Sequence, residues 1–189
     1  MRMGRSVTEH SGAPGAEQDT ISFAECGDAV VIRVNGRGSF ANSVELKRIT
    51  DHFFDKHGAQ ACRFVMDLGD CSTMDSTFMG VQASIGLRQK RDSGELMAIV
   101  NVKPQNVRLL QTLGLAHFMH VRPEGAGAAL DTAGATFQTA EKHDVSKLDR
   151  IVHMIEAHET LCDTGSGNTV EFNQVLKFLR ESLEREKQP

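Results

Sequence analysis

The residues best placed for chemistry stand in the run Met74-Asp75-Ser76-Thr77-Phe78-Met79-Gly80-Val81. An apolar segment, Phe64 to Leu68, precedes it, and a short polar stretch, Gly69 to Thr73, joins the two. Met79, Ala83 and Leu87 then recur at helical spacing, with Val81 and Ile85 beside them. A buried strand therefore ends, the chain turns, and a helix opens with Asp-Ser-Thr at its mouth. The first turn of a helix leaves backbone N–H groups unpaired and carries a partial positive charge. A hydroxyl there can be capped, and a phosphate there can be held. Ser76 is thus a candidate for reversible modification. It is not a candidate nucleophile, because no basic partner stands nearby in sequence. Taken alone, Asp-Ser-Thr before a helix is also an ordinary N-cap.

Other chemistry-bearing residues point nowhere so specific. Cys26, Cys62, Cys71 and Cys162 are irregularly spaced and form no C-x-x-C pair, so a zinc site is not expected. They read as small hydrophobes of a reduced, cytoplasmic protein. His153 and His158 are five apart, which is not the i, i+4 spacing of a ligand pair; together with His143 they read as solvated or interface histidines. Asp163 to Asn168 hints at a cation loop, but Gln174 stands where the closing acid should be. Gly36-x-Gly38 lacks the third glycine of a nucleotide fingerprint. No metal and no cofactor are expected.

The elements that must position Ser76 follow from patterning. Ile21 to Glu25 and Ala29 to Asn35 read as a strand pair, followed by a helix from about Asn42 to Gly58. Strands are expected at Arg63–Leu68, Leu96–Asn101 and Phe118–Val121, with helices from Ser76 to about Asp92 and from Gln105 to Thr112. This alternation predicts an α/β fold: a mixed β-sheet of about five strands with helices packed on it. Residues 1–20 read as a disordered tail, 21–122 as the domain, and 123–145 as a linker or weak helix. Residues 146–189 read as a C-terminal helical hairpin with a turn at Thr164–Asn168. A lone hairpin buries too little to stand by itself, so it must dock on the domain or on another chain. With 40% hydrophobic residues, a net charge of −4, and neither Trp nor Tyr, nothing suggests a nucleic-acid platform. No apolar run is long enough to span a membrane.

In this order the elements resemble a STAS domain, the fold of bacterial anti-sigma factor antagonists. The resemblance covers about Ile21 to Val121. Its sharpest piece is Met74-Asp75-Ser76-Thr77-x-Met79-Gly80. A second is Arg108-Leu109-Leu110 with Gly114-Leu115 ahead of the last strand, and a third is Lys90 to Leu96, where Gly94 precedes a strand. Two positions depart from the pattern. Phe78 stands where the family has a small Gly, and the loop Gly36-Arg37-Gly38-Ser39 is basic where the family is acidic.

The resemblance implies a non-enzymatic regulator of transcription. Unphosphorylated, it would hold an anti-sigma factor that is also a serine/threonine kinase. Phosphorylated at Ser76, with Thr77 as the backup acceptor, it would be released, and a phosphatase would reset it. Asp75, Phe78, Met79, Arg37 and Ser39 would form the partner face, with Phe78 as an exposed aromatic anchor of the type found at interface centres. The alternative is a STAS scaffold or adaptor that is not phosphorylated. It would self-assemble, with the C-terminal helices as a possible homodimer contact, or join a transporter complex.

Overall fold

The computed structural model describes residues 19–58, 63–126 and 130–188. The expected N-terminal tail, but for its last two residues, lies outside these, as does Cys62. Strands β1 (Thr20–Cys26) and β2 (Ala29–Gly38) form an antiparallel pair. Helix α1 (Phe40–His57) leads to β3 (Arg63–Asp67), which pairs parallel with β2. Then come β4 (Cys71–Met74), α2 (Ser76–Ser93), β5 (Met97–Val102), α3 (Pro104–Thr112), a 3-10 turn at Leu115–His117 and β6 (Met119–Pro123). Strand β7 (Gln138–Thr139) and helices α4 (Lys147–Thr164) and α5 (Ser166–Lys187) complete the chain. The sheet runs β6-β5-β3-β2-β1-β7, with β4 paired to the far end of β2.

The architecture is the expected mixed sheet with helices, but among the described residues it holds seven strands. The two extra strands fall where patterning is weakest. Residues Cys71–Thr73 were expected as part of a polar connection and Met74 at the helix mouth. They extend instead beside Gly36–Gly38, burying Cys71 and Met74 while Ser72 and Thr73 face out. Residues Gln138–Thr139, within the expected linker, add to the free edge of β1, which leaves fewer unpaired backbone groups there. The helical hairpin also tightens. Helix α5 starts at Ser166, so the turn narrows to Gly165.

One apolar core serves both the sheet and the hairpin. Ile32, Val34, Leu46, Phe64, Met66, Ile99 and Leu110 are fully buried. Ala157, Leu161 and Phe172 of the hairpin join that cluster. Ile151, Ile155, Leu176 and Leu179 form a second, separate core between α4 and α5. Gly80 allows the docking. A Cβ there would strike the carbonyl oxygen of Ala157, whose carbonyl carbon would be only 2.7 Å away. A glycine inside a helix costs roughly 1 kcal/mol relative to alanine, and here it permits a helix-to-helix approach at backbone range.

Candidate functional site

Asp75 organises the mouth of α2. Its Oδ1 accepts from the Phe78 N–H at 2.9 Å, the N-cap bond that satisfies one orphan donor of the helix. Its Oδ2 accepts from the Phe40 N–H at 2.8 Å, at the first residue of α1. One carboxylate therefore ties two helix N-termini together. The Asp75 N–H donates to the Gly38 carbonyl at 2.9 Å, which fixes the mouth against the end of β2. Ser39, the N-cap of α1, is buried, and its N–H donates to Asn42 Oδ1 at 2.8 Å. Arg37, expected in a loop, lies instead near the end of β2, paired with β4, with its side chain largely exposed, 3.6 Å from Asp19. Asp75, Ser76, Ser39 and Arg37 thus share one end of the molecule.

Phe78 and Met79 are not on that surface. Phe78 is fully buried, and a Cβ on Gly38 would come within 2.7 Å of its ring. Met79 is 5% exposed. The expectation of an exposed aromatic anchor at Phe78 is therefore corrected. Sitting two residues into α2, its side chain points under the helix into the space that Gly38 leaves open. The aromatic that does reach solvent beside Asp75 is Phe40, at 44% exposure. Nothing in the sequence pattern marked it, because the first residue of a helix carries no periodic signal. Thr77 is also buried, so Ser76 is the hydroxyl at the mouth.

Sequence reading found no base for Ser76, and the fold supplies one from 82 positions away. The Ser76 Oγ lies 3.0 Å from His158 Nε2 on α4. His158 Nδ1 lies 2.7 Å from the Met154 carbonyl oxygen, one turn earlier. A carbonyl only accepts, so Nδ1 carries the proton of the neutral ring and Nε2 accepts from the Ser76 hydroxyl. This ring packs at a steep angle against Phe172 of α5. A parallel pair lies one turn and a half back along α4, where His153 Nε2 is 2.8 Å from Ser43 Oγ of α1. Both histidines are buried where α4 meets α1 and α2, not solvated; of the two readings offered, the structure leaves the interface, here one within the chain.

A hydroxyl hydrogen-bonded to an oriented imidazole could serve as an activated nucleophile. The amide of Phe78 is taken by the Asp75 side chain, and that of Met79 by the Asp75 carbonyl. The cavity between α1, α2 and α4, about 140 Å³, is lined by Gly80, Ser84, His153 and Ala157 rather than by Ser76 or His158. Among the described residues, no cluster of His, Cys, Asp or Glu could hold a metal ion. No helix there is long and apolar enough to cross a membrane.

Residues 20–128 match the STAS domain family model. The chain belongs to the STAS domain family. The match spans every element from β1 to β6 and includes Asp75 and Ser76; the hairpin follows it in sequence. A Thermotoga maritima protein provisionally described as an anti-sigma factor antagonist aligns with 53% of this chain and 83% of its own, at 23% identity and a TM-score of 0.47. The unphosphorylated anti-sigma factor antagonist SpoIIAA aligns with 61% of this chain and 91% of its own, at 17% identity and a TM-score of 0.43. The Bacillus cell fate determinant SpoIIAA in its phosphorylated form aligns with 56% and 90%, at 18% identity and a TM-score of 0.42. No curated protein is similar enough in sequence to count as a match.

The hairpin of this STAS protein should be pH-sensitive through His153. Burial holds its imidazole below the ordinary value, Lys47 nearby adds to this, and Glu45 opposes it. The unfolded chain then takes up protons before the folded one does. Stability is complete above the ordinary histidine value of about 6.5 and declines as pH falls through it towards the lower folded value. Amide exchange in α4 should therefore accelerate between pH 7.5 and 5.5, corrected for intrinsic rates. His153→Gln, which keeps a polar partner for Ser43, should flatten that dependence.

Proposed function

We propose that this STAS protein is an anti-sigma factor antagonist worked by phosphate on Ser76. One observation carries the reading: within the family-matched segment, Ser76 is the first residue of α2, its hydroxyl at the mouth of a helix that Asp75 caps. The partner is an anti-sigma factor that is also a serine/threonine kinase, with a phosphatase to reverse the mark. The unmodified form binds and the phosphorylated form lets go. Phosphate adds nearly two negative charges at neutral pH. The helix N-terminus offsets only about 0.3–1 kcal/mol of the repulsion from Asp75 at an exposed site. The larger effect falls on the interface, where a dianion must lose its water against the partner's surface. Such a switch works in the cytoplasm and needs no metal or cofactor.

Incubation with anti-sigma-type serine kinases and ATP should place a single phosphate on Ser76, located by mass spectrometry and lost in Ser76→Ala. Ser76→Asp should weaken kinase binding at least tenfold. No phosphate at Ser76 with any kinase would overturn the reading. It would leave the unphosphorylated scaffold, for which the exposed Val170, Val175 and Phe178 on α5 would offer a self-association surface.

A further inference from the structure

We infer that the α1–α2 face is a helix-docking surface and that α4 is its resident ligand, a cover that must lift before Ser76 can be modified or can meet a partner. The inference rests on the reading of Ser76 given above and adds its regulation. Four observations converge on it. First, α4 crosses α2 at Gly80, where the missing side chain lets Ala157 come to backbone range. This face therefore fits a helix with a small residue at the crossing, whether that helix belongs to this chain or to another protein.

Second, the polar contacts that hold the cover include the modifiable hydroxyl itself. Ser76 is bonded to His158, and Ser43 to His153. A kinase needs the Ser76 oxygen free for in-line attack on its nucleotide, and the His158 ring, 4% exposed, stands 3.0 Å from that oxygen. A phosphate in the same place would put charged oxygens where a buried ring now sits. Third, the hairpin has a core of its own, from Ile151, Ile155, Leu176 and Leu179, which would keep α4 and α5 together on lifting. Fourth, the tether carries little regular structure: the two-residue strand β7 pairs with β1, the Ala140 N–H donates to the Ile21 carbonyl, the His143 N–H donates to Glu45 Oε1 at 3.2 Å, and Arg33 reaches Thr132 and the Phe137 ring. Closed, the protein masks Ser76; open, it presents Ser76 and the Gly80 crossing together.

Hydrogen exchange on the full chain tests this without any kinase. Ser76→Glu, which places a carboxylate at the His158 contact, should speed exchange across α4 at least tenfold while β2, β3 and β5 stay protected. Ser76→Ala, which removes the hydroxyl without adding charge, should speed it clearly less than Ser76→Glu does. Gly80→Leu should open α4 by steric exclusion, and Ala157→Leu makes the same test from the hairpin side if α2 does not tolerate the first. The cover is refuted if Ser76→Glu leaves α4 as protected as in the unmodified chain, or if neither leucine variant opens α4 with the sheet intact. A cover that lifts although no kinase marks Ser76 would sink the phospho-switch alone. Phosphate on Ser76 beneath a protected α4 would sink the cover alone.

Discussion

Phe78→Ala is expected to cost about 3–5 kcal/mol of folding stability, read as a lower urea midpoint at unchanged slope. The ring is fully buried, and the element against its face is the backbone of Gly38. Glycine has no side chain that could swing into the space, so the cavity would stay open. The neighbouring strand cannot collapse easily either, because the Gly38 carbonyl is bonded to the Asp75 N–H and β2 is paired there with β4. Phe40→Ala is the matched control. Its ring is 44% exposed, so its loss should stay within about 0.5 kcal/mol. If Phe78→Ala proved as mild as Phe40→Ala, Phe78 would be the surface residue that sequence reading made of it.

That misreading shows where the sequence ceases to be informative. The order of strands and helices was legible because apolar periodicity is local: a buried strand or an amphipathic helix writes its pattern into consecutive residues. Asp75 and Ser76 were legible for the same reason, since an N-cap and its helix are neighbours in the chain. Phe78 was not, because its direction depends on Gly38, forty positions earlier. Strand β4 was missed because Ser72 and Thr73 face solvent over most of its short length. It is extended by pairing with β2 rather than by propensity of its own.

His158 was the largest omission. Nothing in its own neighbourhood distinguishes a histidine that meets Ser76 from one that meets water. A faint signal did exist on the other side of the contact. Gly80 and Gly86 interrupt a helix that would otherwise favour alanine, and an interior helix glycine asks for a packing reason. The structure supplies one for each: Gly80 admits Ala157, and Gly86 admits the end of Met119. The glycines therefore mark where something approaches α2, though not what. The partner at Gly80 turned out to be the chain's own hairpin, which makes the Ser76 surface an internal interface before it is an external one.

Asn168→Ala should be the most damaging polar substitution in the hairpin, at about 2–4 kcal/mol, because each buried carbonyl left unpaired costs about 1–3 kcal/mol. Asn168 is 5% exposed near the start of α5. Its Nδ2 donates to the carbonyls of Leu113 at 3.0 Å and Leu161 at 2.9 Å, and lies 2.8 Å from Thr164 Oγ1. One amide group thus ties the end of α4 and the start of α5 to the turn that follows α3. The Thr164 hydroxyl reaches the same two carbonyls, at 3.1 Å and 2.8 Å, but has a single proton to share. Thr164→Val should therefore cost only about 1 kcal/mol, since Asn168 still serves both acceptors. The double variant should lose more than the sum of the two, as each residue covers in part for the other. The damage should also be local, with faster exchange in α4 and α5 and little change in β3 and β5. Equal costs for the two single variants would mean that the carbonyls are paired in some other way and that Asn168 is not the latch.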